Sequence, residues 1–441
     1  MGQRLRENAL CASFAAAGCA AMAWLGLYGF AWNDYEVESK PAFDALTHGH
    51  LLTFLRLAPA YGGSLVERAP FALLPELWGG GALAVYRAVA VPCLLAGALL
   101  GVWLAARMRT SGGSTFARAV TVALCAANPL TLSALELGHP EELLGACLCV
   151  GAVLLACRPS RGWRVTVGAG ALLGLAIANK EWALLAAGPV LLAVASHARP
   201  SRRRRSTLVC LTTAGAAATL VLAPLLLASS GSFLASARAV SVAPGALFQP
   251  WQLWWFFGSH GRLMHAQFGI PLHGYRTGPA WAGAISHPLI VLVGLGLAGI
   301  LWLVRRRSGH VVSERDALLA LALALLLRCV LDTWDIGYYM LPCLLALLAW
   351  EVSGASARPP ILTLTLVVLP WFVLQEISVH GASPDTQAAL FLAWALPLAS
   401  WLCLRLFLPG RARLAAGGRR DDGARAQETT VSAFGRLVST S

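Results

Sequence analysis

The chain has 441 residues, of which 57% are hydrophobic and only 12% charged, with a mean hydropathy of +0.66 and a formal net charge of +13. That composition excludes a soluble globular protein, and apolar runs of about 18 or more residues recur along it, as in membrane-spanning helices. The positive charge does not by itself imply nucleic acid: Lys40 and Lys180 are the only lysines, and the arginines fall largely in clusters between apolar runs, so their placement has to be read first.

The first apolar run, 9–31, follows Arg4 and Arg6. It is too long for the core of a signal peptide and lacks a small-residue cleavage site, so it reads as an uncleaved first span. The stretch "AWNDYEVESKPAFDALTHGH" (31–50) comes next and is out of character, gathering Asp34, Glu36, Glu38, Lys40, Asp44, His48 and His50. Further spans are expected at 82–106, 114–135, 141–157, 165–179, 182–197, 207–228, 287–304, 316–331, 338–352, 360–378 and 386–408. The predicted fold is thus all-α and polytopic, with about 12 transmembrane helices (10–13). It forms one domain over 1–408, with outer loops at about 32–81 and 229–286, and a Gly-, Arg- and Ser-rich tail at 409–441 that reads as disordered and cytoplasmic.

Residues 165–196 decide the topology. As one helix rising ~1.5 Å per residue they would reach about 48 Å, against a hydrocarbon core of ~30 Å. They would also carry "NKEW" (179–182) near the membrane centre, at roughly 2.5–3.5 kcal/mol per charge. Two short spans meeting at the outer side avoid both problems and leave Lys180 recessed, as polar backbone lining a protein cavity can be. Pro129 in "AANPLTL" should interrupt an earlier span in the same way. Alternation from a cytoplasmic N-terminus then puts Arg107, Arg109, Arg158, Arg199, Arg202–Arg205 and Arg305–Arg307 inside, the bias the positive-inside rule requires. The C-terminus is cytoplasmic too, the basic charge is topological, and no nucleic-acid partner is expected. An Arg-, Ala-, Gly- and Leu-rich composition points to a bacterial plasma membrane.

With this parity the carboxylates collect outside: the opening stretch, "ELGHPEE" (136–142), Lys180–Glu181 and "LDTWDIGYY" (331–339). The second outer loop carries Trp251, Trp254 and Trp255, which suit a membrane–water interface, followed by His260, Arg262, His265, His273 and Arg276. Pro140, Glu141 and Glu142 suit a helix N-terminus as well as a site. Arg328 lies inside an apolar run, where a charge is a functional candidate by default, although Asp332 and Asp335 are near enough for a structural ion pair. His48 and His50 lack the i,i+4 spacing of helical metal ligands. The eleven cysteines sit almost entirely in apolar runs, in no zinc or disulfide pattern, and read as packing residues. No metal or other cofactor is expected.

The order of these features resembles the GT-C superfamily of membrane glycosyltransferases, and within it the family-87 (polyprenyl-phosphate-mannose-dependent) group. The matching segments are "WNDYEVE", "HGHLLTFLRLAPAYGGSLVERAPFALLP", "ANPLTLSALELGHPEELL", "GALLGLAIANKEWALLAAGPVLL" and "RCVLDTWDIGYYMLPCLLALLAWE", in order over about 10–405. The resemblance implies inverting transfer of a hexose, by analogy mannose, from a polyprenyl-phosphate sugar to a lipid or glycan acceptor at the outer face, with a first-loop aspartate as base. That aspartate is Asp34, with Glu36, Glu38 and Asp44 as neighbouring alternatives. The chemistry agrees: a positioned carboxylate taking the proton of an attacking hydroxyl contributes ~10²–10⁴-fold, and a phosphate leaving group needs cations rather than a general acid. Lys180, His260, Arg262, His265 and Arg328 are the candidate donor-phosphate ligands. Glu36, His139, Glu142, Asp332 and Tyr338 are candidates for lining the acceptor side. The competing class is a transporter or lipid flippase, whose charges and broken helices usually lie nearer the midplane.

Overall fold

The computed structural model describes residues 2–28, 34–58, 62–158, 162–241, 248–260, 264–265, 271–354, 358–373, 377 and 380–408. The tail at 409–441, Trp32 and Arg262 lie outside the described residues. The described residues are almost wholly helical. In order run α1 (Gly2–Tyr28), α2 (Lys40–Thr47), α3 (Leu51–Leu57), α4 (Gly63–Ala72), α5 (Ala82–Thr110), α6 (Thr115–Ala126), α7 (Pro129–Glu136), α8 (Glu141–Ala156) and α9 (Trp163–Asn179). They are followed by α10 (Ala187–His197), α11 (Arg203–Ala228), α12 (Ser230–Ser241), α13 (Ala280–Arg307), α14 (Glu314–Leu331), α15 (Leu341–Val352), α16 (Ile361–Trp371) and α17 (Pro384–Phe407). The described strands are two dipeptides, β1 (Met264–His265) and β2 (Pro271–Leu272), paired antiparallel.

Six stretches among the described residues are long and apolar enough to cross a membrane: Glu7–Gly26, Ala82–Thr110, Thr115–Glu136, Pro200–Ala228, Ala280–Arg307 and Pro384–Phe407. Four of them, all but Ala82–Thr110 and Thr115–Glu136, are mostly unburied, as helices that face lipid are, with Leu220, Leu227 and Leu292 more than two-thirds exposed. The buried core is centred instead on the shorter α8, α10, α14 and α15, from Val150 and Val190 to Leu318 and Leu345.

Local chemistry explains the breaks. Asn128 ends α6 and caps α7, its Oδ1 accepting from the backbone N–H groups of Leu130 and Thr131 just where Pro129 removes a donor. Lys180 is extended (φ −152, ψ 134) and separates α9 from a 3-10 turn, Glu181–Ala186, that leads into α10. The start of α9 and the end of α10 line one cavity, so the two helices run out and back, as the length of 165–196 requires.

Helix ends of opposite character gather at opposite poles. At one pole Arg107 at the end of α5 meets Glu314 at the start of α14 (2.6 Å), Arg118 meets Glu7 (2.9 Å) and Arg305 meets Asp316 (2.7 Å). The other pole collects the chain after α1, the α7–α8 joint, the end of α9 and the end of α14. Here the expected first loop is itself folded: α2–α4 close over Phe43, Phe54 and Leu65, which pack with Tyr35, Tyr86 and Val89. The second loop is shorter than expected, because α13 begins at Ala280. The expected interfacial role of Trp251, Trp254 and Trp255 is corrected. All three are buried; the indole N–H of Trp254 donates to the Leu331 carbonyl at the end of α14, and that of Trp255 to Asp385 in the first turn of α17.

Candidate functional site

The site begins with the main chain. Gly138 has φ +91, and a Cβ there would lie 2.5 Å from the Tyr35 nitrogen. Only glycine lets this turn lie against the chain leaving α1, where the Asp34 N–H donates to the Leu137 carbonyl (3.1 Å). Tyr35 is buried against Tyr86, with ring centroids 4.6 Å apart. Asp34 is therefore fixed by its neighbours. Gly63 does the same for α4, since a Cβ there would meet the Ala178 carbonyl oxygen at 2.0 Å; this close approach brings Arg68 over the site.

From Asp34 a chain of charges runs inward, alternating in sign. Asp34 Oδ2 lies 3.0 Å from His139 Nε2, and His139 Nδ1 lies 2.8 Å from Glu141 Oε1. Lys180 Nζ lies 3.1 Å from Glu141 and 3.7 Å from Glu142. Arg328 Nη1 follows at 3.9 Å from the second oxygen of Glu142. Arg68 meets the other oxygen of Glu141 at 3.2 Å. The two glutamates sit in the first turn of α8, where the helix dipole favours negative charge. Asn179 donates to the Glu141 carbonyl and Trp182 to the Glu142 carboxylate. Tyr338 stacks on the His139 ring with centroids 5.2 Å apart.

Exposure grades along this chain. The Asp34 side chain is 27% exposed, while His139, Glu141, Lys180, Glu142, Arg68 and Arg328 are each 8% or less. Asp34 is thus the open end of a buried network. Burial works to lower the His139 pKa, but hydrogen bonds to Asp34 and Glu141 outweigh it and raise it to about 9. At neutral pH the imidazole is charged and donates from both nitrogens.

The remaining candidates separate. Glu36 is exposed, whereas Glu38 turns inward; burial raises its pKa against the pull of His139. Of the alternatives to Asp34, the structure brings Glu38 to the cluster and leaves Asp44 paired with Lys40 at 2.7 Å. Arg328 is not the partner of Asp332 and Asp335 that its position in sequence suggests: its ion pair is with Glu142, and its guanidinium lies over the rings of Tyr339 and Trp182 at 4.3 and 5.1 Å. The local reading failed because α14 turns its end toward α8, so a residue far away in sequence is nearer than the next turn. Asp332 faces His287 at 3.6 Å instead. His260 lies apart from the cluster, 3.5 Å from Asp385, which Arg276 grips with both Nε (2.8 Å) and Nη2 (2.9 Å). Arg262 and the side chain of His265 lie outside the described residues. Sequence reasoning missed Arg68, although the Glu67–Arg68 pair inside an otherwise uncharged segment, "GGSLVERAPFALLP", was a usable signal. Among the described residues no group of three or more His, Cys, Asp and Glu is placed to hold a metal ion. Compared with protein-family models, curated proteins and solved structures, the chain has no match.

Proposed function

We propose that this protein is a membrane glycosyltransferase, moving a hexose from a polyprenyl-phosphate sugar to a lipid or glycan acceptor, with Asp34 as the general base. The observation that carries the reading is the placement of Asp34, a part-exposed carboxylate just past the first apolar helix at the open end of a buried charge chain. In the reaction the acceptor hydroxyl oxygen attacks the anomeric carbon from the face opposite the phosphate. The bond to the phosphate oxygen breaks with its electron pair, the anomeric configuration inverts, and the hydroxyl proton passes to Asp34. The lipid phosphate leaves as an anion and needs no acid, so a single catalytic carboxylate suffices, unlike the pair used in glycoside hydrolysis. His139, charged and held by Glu141, fixes the Asp34 carboxylate and is the positive group nearest the opening. Lys180 holds Glu141 and Glu142 in register, with Arg68 and Arg328 completing the charge balance.

In this reading the described helices belong to a GT-C-like bundle of about 12 spans, with the Asp34 pole facing outside and the arginine-rich pole in the cytoplasm of a bacterial cell. Supporting it are the alternation of helix ends between the poles and the six long apolar stretches. The test is to incubate the purified protein in nanodiscs with polyprenyl-phosphate-mannose and a cell-envelope lipid extract, and to follow free polyprenyl phosphate. Release that requires both the protein and the extract supports transfer. Movement of a fluorescent polyprenyl-phosphate lipid across sealed vesicles, without release, would instead favour the transport class.

A further inference from the structure

A cavity of about 140 Å³ lies at the pole opposite Asp34, between the end of α8, the start of α9, the end of α10 and the start of α11. Among the described residues its lining includes Arg158, Arg199 and Arg202, together with His197, Thr166 and Ser206, and no carboxylate. Among the described residues Arg199 and Arg202 make no side-chain hydrogen bond or ion pair, and Arg158 makes only a ring contact, 5.2 Å from the Trp103 centroid. The three side chains are exposed, and the positive-inside bias explains why arginines lie at this pole, but not why three of them converge on one cavity. Two helix N-termini add to the field. α9 starts at the cavity from Gly162, which supplies no side-chain cap, and the turn at Pro200–Arg202 that opens α11 lines it too.

We infer that this cavity binds a phosphate-bearing anion, held by the guanidiniums of Arg158, Arg199 and Arg202 and by the hydroxyls of Thr166 and Ser206. Guanidinium suits the task, offering paired donors to phosphate oxygens at fixed geometry. The phosphate comes either from an anionic lipid headgroup or from a free ion. The inference does not depend on glycosyl transfer at the other pole.

The test uses the full chain in neutral detergent. Wild type, Arg158→Gln/Arg202→Gln and the charge-matched control Arg306→Gln/Arg307→Gln are titrated with inorganic phosphate and, separately, with short-chain phosphatidylglycerol or phosphatidylcholine. Bound ligand is read by native mass spectrometry. Expected is saturable binding to wild type and to the control, weakened about tenfold or more in the Arg158/Arg202 variant, the scale of a lost charged hydrogen bond. Binding of inorganic phosphate would identify a free ion as sufficient, and binding of phosphatidylglycerol alone would identify a lipid headgroup. No saturable binding to wild type, equal loss in the control, or equal binding of phosphatidylcholine would overturn the inference. Should the Arg158/Arg202 variant fail to fold, Thr166→Val/Ser206→Ala takes its place, removing the two proposed hydroxyl ligands without changing charge; phosphate and phosphatidylglycerol binding equal to wild type there would overturn the inference.

Discussion

His139 stands between two carboxylates, with Nε2 3.0 Å from Asp34 and Nδ1 2.8 Å from Glu141. Residues 105 positions apart in the chain, Asp34 and His139, are thereby joined at the mouth of the site. The pairing raises the His139 pKa from 6.5 to about 9. Because the folded value lies above the unfolded one, its stabilisation is complete below about pH 6.5 and is lost as pH rises through about 9. Thermal unfolding in detergent should therefore fall between pH 6.5 and 9.5 in wild type, and less so in His139→Gln. Parallel profiles for the two proteins would contradict the assignment.

Lys180 is buried between Glu141 and Glu142. Lys180→Met leaves two buried carboxylates short of a cation, a loss of roughly 3–5 kcal/mol in comparable buried pairs. A large drop in unfolding temperature is expected, partly restored by adding Glu142→Gln. If Lys180→Met unfolds like wild type, the ammonium is not a keystone of the network, and a role confined to substrate binding becomes the better account.

Gly138→Ala tests the backbone contact that places Asp34. Its positive φ alone costs about 1–3 kcal/mol for a non-glycine residue in such regions, and the added Cβ would press on Tyr35. The variant should lose activity by more than its fall in stability explains, since Asp34 moves with Tyr35. Full activity in Gly138→Ala would show that Asp34 is not held from this side.

The poles predict topology. On a cysteine-free background, Arg203→Cys should be labelled by a membrane-impermeant thiol reagent only after permeabilisation, and Glu36→Cys, which is exposed beside the site, without it. Labelling of position 203 in intact cells would reverse the orientation and move the site to the cytoplasm.

Much of this architecture was legible from local pattern. Apolar runs gave the helices, Pro129 and "NKEW" gave the breaks, and the acidic stretch after the first run gave the neighbourhood of Asp34, because each depends on residues close in sequence. What stayed hidden depends on distance. Arg68 reaches Glu141 only because Gly63 lets α4 touch α9, and Arg328 meets Glu142 rather than Asp332 only because α14 and α8 end together. The three tryptophans misled because an indole suits an interface and a buried position equally well; burial separates the two.

Asp34→Asn tests the central claim most directly. Asn keeps the size and can still accept a hydrogen bond from His139, but it cannot take a proton from the acceptor. Release of polyprenyl phosphate from polyprenyl-phosphate-mannose is measured for wild type, Asp34→Asn, Glu36→Gln and Glu38→Gln at matched folded protein. The account predicts a loss of about 10²-fold or more in Asp34→Asn, with donor binding retained, and little change in Glu36→Gln. Near-normal turnover in Asp34→Asn, above all if Glu38→Gln is inactive, would contradict it.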